Sequence, residues 1–127
     1  MSVKIKSVAK GQPGVVGGGE KKYYPAPVME GEMNIESLTK AIEKISTVSG
    51  ADIRAVLYAL VDVSIDGLER GAIIRMSDLG NFRISLKTEG KATPEEVNAS
   101  CVKKAGIIFT PATRLKTMLN NLKYVKV

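Results

Sequence analysis

The stretch from Ile35 to Leu68 carries two consecutive helical patterns whose apolar faces are too broad for a chain of 127 residues to cover by itself. Ile35, Leu38, Ala41, Ile42 and Ile45 keep a helical period behind Asn34, which has the chemistry of an N-cap. Ser46 to Gly50 breaks the pattern. Ser49 or Gly50 can cap the helix that follows, with Asp52 in its first turn, where the helix dipole favours an anion. In that second helix Ile53, Val56, Leu57, Leu60, Val61, Ser64, Ile65 and Leu68 form a wide stripe, and Gly71 stands where a C-terminal stop belongs. Two antiparallel helices of this kind need a covering partner, so the expected state is a homodimer.

The remainder of the chain reads mainly as strands. Ala72 to Met76 is a short one, and Ser77 to Asn81 a turn centred on Gly80. Phe82, Ile84 and Leu86 then alternate with Arg83, Ser85 and Lys87, which predicts a strand with one apolar and one basic face. Val97 to Ile108 is the expected returning strand, with Gly106 as a bulge or a close-packing point and Cys101 as a small side chain of the ribbon. Pro111 and Thr113 introduce a last amphipathic helix built on Leu115, Met118, Leu119 and Leu122. At the other end, Val3 and Ile5 alternate with Lys4 and Lys6 as a short strand. Residues 10–20 hold five Gly and one Pro and read as a loop. Tyr23 to Val28 is extended, because each Pro disfavours helix in its predecessor. It is expected as an edge strand on the chain's own body, in preference to a strand offered to a partner. The predicted organisation is an N-terminal extension, residues 1–32, followed by a domain over residues 33–127.

Composition excludes several classes. An apolar share of 44% supports a core and argues against a disordered basic tail. Nothing approaches the roughly 18 apolar residues of a membrane span, and no signal peptide is visible. A single cysteine cannot form an internal disulfide and fits a reducing compartment. With no histidine and one cysteine, the commonest general base and the cysteine-cluster metal sites are missing, so no cofactor, metal or small-molecule substrate is expected. Gly17-Gly18-Gly19-Glu20-Lys21 lacks the spacing of a phosphate loop. Asp62 and Asp66 share a helix side but have no nucleophile or base beside them, so they read as a solvated face. The chain is not expected to be an enzyme.

Charge is distributed unevenly. Residues 1–32 hold five Lys and three Glu; residues 33–82 hold five basic and seven acidic residues; residues 83–127 hold nine basic and three acidic. A basic ribbon and last helix on a slightly acidic helical body is a surface that suits a polyanion.

The order of helix, helix, short strand, corner, basic ribbon and terminal helix resembles the HU/integration-host-factor family of bacterial histone-like proteins. The local motifs are Leu79-Gly80-Asn81-Phe82, similar to that family's aromatic-glycine corner, and Ile108-Phe109-Thr110-Pro111, similar to the segment before its last helix. The resemblance covers about Met33 to Lys123. Its closest form is the diversified Bacteroidetes-type branch with an N-terminal extension. It implies an α+β fold: two N-terminal helices intertwined into a dimer body, a three-stranded antiparallel sheet with a shortened β-arm, and a C-terminal helix. It implies double-stranded DNA as the partner, held by arms in the minor groove, with no membrane, and a cytoplasmic, nucleoid-associated location.

Carried onto this sequence, the DNA-contacting residues are Arg75 and Arg83 on the strands, Lys87 and Lys91 on the outgoing arm, Lys103 and Lys104 on the returning arm, and Arg114 and Lys116 on the final helix. Their expected role is phosphate contact with little base reading. The chain departs from the family at the arm tip. Thr93-Pro94-Glu95-Glu96 is a helix-start signature carrying two negative charges where the family has a basic tip with an intercalating proline. The alternative reading is a structural or interaction module that keeps the fold and binds DNA weakly or not at all.

Overall fold

The computed structural model describes residues 1–11, 14, 17 and 19–127. Of the glycine-rich stretch, Gln12, Pro13, Val15, Val16 and Gly18 lie outside the described residues. Three α-helices and two three-stranded sheets are present among those described. The chain divides into two compact units: Met1–Met33 with Met118–Val127, and Asn34–Thr117.

In the first unit β1 (Val3–Lys10) is the central strand. It pairs antiparallel with β2 (Lys22–Pro27), from Ile5 opposite Pro27 to Lys10 opposite Lys22, and parallel with β6 (Tyr124–Lys126), from Val3 opposite Tyr124. The Val28 N–H donates to Lys4 O at 2.8 Å. By alternation Ala26 and Tyr24 also face β1, and Pro25 and Pro27 turn their nitrogens outward. Proline there forfeits no ladder bond and blunts the free edge against further pairing. The edge strand expected at Tyr23–Val28 is thus present. The strand β6 is not anticipated by the sequence reading: three residues are too few to show a period, and their partner lies at the opposite end of the chain.

In the second unit α1 (Ile35–Ile45) begins at Asn34, whose side chain accepts from the Ser37 N–H at 2.9 Å. The next helix, α2 (Gly50–Glu69), is capped by Ser49, which accepts from the Asp52 N–H at 3.3 Å. The Glu43 carboxylate accepts from the Gly50 N–H at 3.1 Å and ties the two helices together. The end of α2 is a Schellman motif. Gly71 takes φ +81°, its N–H donates to Leu68 O at 2.9 Å, and the Ala72 N–H donates to Gly67 O at 3.0 Å.

The second sheet has the order β3 (Ile74–Arg75), β4 (Gly80–Thr88), β5 (Val102–Pro111), all antiparallel. Only two residues of the expected Ala72–Met76 strand are paired, because the Schellman turn occupies its start. The expected Val97–Ile108 strand also shifts. Residues before Val102 form two single turns of 3₁₀ helix, Pro94–Glu96 and Ala99–Cys101, the second capped by Asn98, which accepts from the Ser100 N–H at 3.0 Å. Cys101 is therefore not a ribbon side chain. It is buried under these turns, with Sγ 3.8 Å from Glu96 O. The irregularity in the β4–β5 ladder falls at Lys87/Thr88 and not at Gly106. Gly106 is the close-packing point, where a Cβ would stand 3.1 Å from Ser85 Oγ.

Gly80 fixes the corner between β3 and β4. It has φ +145°, and a Cβ there would lie 2.3 Å from the backbone oxygen of Thr110 and 2.9 Å from the Phe109 ring. Gly80→Ala should therefore cost roughly 2–3 kcal/mol from a disfavoured backbone and a forced shift of β5. Chemical denaturation checks this, and an unchanged midpoint would show that the corner relaxes freely.

The chain alone buries little. Ile53 and Cys101 are the buried hydrophobic residues among those described, and Thr39 the buried polar one, with its hydroxyl donating to Ile35 O. On α2, Val56, Tyr58, Leu60, Val61, Val63 and Ile65 are all exposed. The last helix, α3 (Thr113–Asn120), leaves Met118 and Leu119 exposed.

Candidate nucleic-acid interface

The register of β3, β4 and β5 sorts the sheet's side chains into two faces, because residues directly opposite one another project the same way. Ile74, Phe82 and Phe109 form one row, Ile84 pairs with Ile107, and Leu86 with Ala105. This is the apolar face, and on it the Phe82 and Phe109 ring centroids are 4.8 Å apart at 43°. Arg75 opposite Asn81, Arg83 opposite Ile108, Ser85 opposite Gly106 and Lys87 opposite Lys104 make the other face. The alternation expected for residues 82–87 is thus realised. Four of the sequence-predicted cations, Arg75, Arg83, Lys87 and Lys104, are brought onto one surface.

Beside the Lys87–Lys104 pair, the next pair on this face, Ser85 and Gly106, is small and leaves a shallow depression. Two like charges directly across a ladder repel and lower the stability of the pair. None of the four cations lies within ion-pair distance of a carboxylate among the described residues. The arrangement is one that an external anion relieves.

The other four predicted residues are placed differently. Lys87 faces Lys104 and Thr88 faces Val102, which leaves Lys103 as the extra residue of a bulge. A bulge re-aims its side chain, and the Lys103 ammonium stands 3.7 Å from Glu89 Oε2. Lys91 reaches the other oxygen of the same carboxylate at 3.3 Å. Lys103 and Lys104 are therefore not equivalent neighbours on one ribbon. Sequence reasoning missed Glu89, and the only signal was its place two residues before Lys91. Arg114 sits 3.4 Å from Asp78, and Lys116 lies in α3, its N–H donating to Ala112 O. Exposed pairs of this type are worth about 0–1 kcal/mol, so a phosphate can draw Lys91, Lys103 or Arg114 away from its carboxylate.

The hairpin's far end is acidic. Pro94 occupies the first position of its 3₁₀ turn, followed by Glu95 and Glu96, with the Thr93 hydroxyl 3.3 Å from Glu96 Oε1. The helix start read from Thr93 to Glu96 is present for a single turn with Pro94 at its first position, but the Thr93 side chain makes no capping bond to a backbone N–H and its hydroxyl donates to Glu96 instead.

A family model described as "HU domain fused to wHTH, Ig, or Glycine-rich motif" matches residues 1–126. Among solved structures, a candidate bacterial DNA-binding protein from Bacteroides vulgatus is similar in fold, with a TM-score of 0.67 at 11% identity. The similarity covers 99% of this chain and 48% of that one, so the chain spans about half the length of that relative. No curated protein matches the chain. No helix among the described residues is long and apolar enough to cross a membrane.

Proposed function

The chain belongs to the HU-HIG family of HU domains fused to further motifs, and we propose that it binds duplex DNA as a non-enzymatic architectural protein. The observation that carries this is the single sheet face holding Arg75, Arg83, Lys87 and Lys104 without counter-ions among the described residues, backed by an apolar face. Cations held in this way contact phosphates and release condensed counter-ions, which gives affinity without reading sequence. Lys91, Lys103 and Arg114 extend the contact once their carboxylate partners are exchanged for phosphate, and Lys116 adds to it from α3. The working form is a homodimer, supported by the exposed apolar residues around α2. In this reading α1 and α2 build the dimer body, and the β4–β5 hairpin of each copy is a shortened arm whose tip is repelled from DNA by Glu95 and Glu96. Bending should accordingly be weaker than for a long basic arm. The location that follows is cytoplasmic and nucleoid-associated. Titrating a labelled duplex at two salt concentrations tests the reading; an absence of binding at low salt would instead favour an interaction module built on the same fold.

A further inference from the structure

The small sheet of the first unit has a charged face of its own. Residues 1–33 and 118–127 carry seven Lys and three Glu, net +4, whereas residues 34–117 carry twelve basic and ten acidic residues, net +2. Most of the chain's excess charge thus resides in its smaller unit. The pairing of β1 with β2 and β6 sorts it further. Val3, Ile5, Ser7, Pro25, Pro27 and Tyr124 fall on one face, where Lys126, opposite Ile5, is the one paired lysine. Lys4, Lys6, Lys10 and Lys22 fall on the other, together with Val8, Tyr24 and Ala26. Lys4 is engaged by Glu30. Lys6, Lys10 and Lys22 are exposed and have no carboxylate within ion-pair distance among the described residues.

We propose that this face, through Lys6, Lys10 and Lys22, is a second binding surface for the phosphate backbone of duplex DNA. Charge complementarity selects a polyanion. From Lys6 to Lys10 the strand rises roughly 13 Å, about the axial length of four phosphates on one strand. The occupant is duplex and not unpaired strand because this face carries one aromatic, Tyr24, where a single-strand platform stacks successive bases on several. The Lys10 ammonium lies 5.9 Å from the Tyr24 ring centroid. The inference rests on the duplex-DNA reading for its ligand, but on a separate set of side chains for its surface.

The test compares full-length variants by fluorescence anisotropy with a labelled duplex across a salt series. Lys6→Gln/Lys10→Gln/Lys22→Gln should reduce the log–log salt slope by about 2–3. The corresponding triple substitution to Arg should keep the slope, which separates loss of charge from loss of fold. A Gln variant that keeps both its thermal transition and the wild-type slope overturns the inference. It leaves the duplex-DNA reading intact if Lys87→Gln/Lys104→Gln still loses slope. The reverse pattern upholds this surface and rejects the hairpin. Wild-type protein without salt-dependent binding rejects both. A lysine-dependent slope seen only with single-stranded oligonucleotide overturns the duplex assignment.

Discussion

Leu60→Asp should abolish cooperative folding of the protein at micromolar concentration. In the isolated chain Leu60 is 41% exposed, and a substitution at such a position would ordinarily change stability by no more than about 0.5 kcal/mol. The expectation differs because of what surrounds it. Val56, Tyr58, Val61, Val63 and Ile65 are also exposed, so α2 presents apolar side chains around most of its circumference. A helix of that kind belongs in an interior. Leu60, Val61, Ile65, Leu68, Met76 and Phe82 together line an apolar groove that a second copy would fill. Truncating a leucine in such an interface costs about 2–5 kcal/mol, an unpaired buried carboxylate adds to that, and a symmetric dimer suffers the loss twice. Total stabilities of about 5–15 kcal/mol leave little margin. Sedimentation and thermal unfolding give the answer together. The wild type should run as a dimer with a midpoint that rises with concentration. A Leu60→Asp protein that melts like the wild type, or a wild-type monomer whose midpoint ignores concentration, would reject the dimer.

Local rules made the helix ends readable, and long-range pairing hid the rest. Asn34, Ser49 and Gly71 mark α1 and α2 because each acts on backbone groups within a few residues of itself. The two faces of β4 were readable from strict alternation between Phe82 and Lys87. Three features depend on another segment and leave no local trace. Tyr124–Lys126 is a strand only because Val3–Ile5 is there to pair with it. Lys103 loses its place on the ladder only because the spans on the two sides of the bulge differ by one residue. Glu89 is a counter-ion of Lys103, besides its near neighbour Lys91, only because the bulge brings Lys103 to it. The stretch from Thr93 to Cys101 lies between these cases. Its opening signature is readable, but the second turn, capped by Asn98, falls inside the segment from Val97 to Ile108 that reads as strand. At the proposed site the residue types were therefore foreseen, while the separation of Lys104 from Lys103 needed the register.

DNA affinity should fall by about a thousandfold between 50 and 200 mM salt, since roughly six neutralised phosphates give a log–log slope of about −5. The sheet face of one protomer offers Arg75, Arg83, Lys87 and Lys104 without competing carboxylates among the described residues, and a symmetric dimer doubles that set, so six contacts do not require every cation to engage. Lys87→Gln/Lys104→Gln should weaken binding to all duplex sequences alike and lower the slope by about 2 for each hairpin engaged. The fold should tolerate the change, because the two ammonium groups face each other across the ladder and their repulsion is relieved by neutral side chains. Lys103→Gln should do less. Its charge is already shared with Glu89, so removing it frees that carboxylate to compete for Lys91 without opening a gap on the sheet face. Glu89→Gln should act in the opposite sense, releasing Lys91 and Lys103 and raising affinity at low salt. Anisotropy titrations of the wild type, these three variants and the single variant Lys104→Gln on one labelled duplex measure all of this. A slope unchanged by Lys87→Gln/Lys104→Gln would remove the hairpin from the interface, whereas equal losses from Lys103→Gln and Lys104→Gln would show that the bulge does not set the two lysines apart.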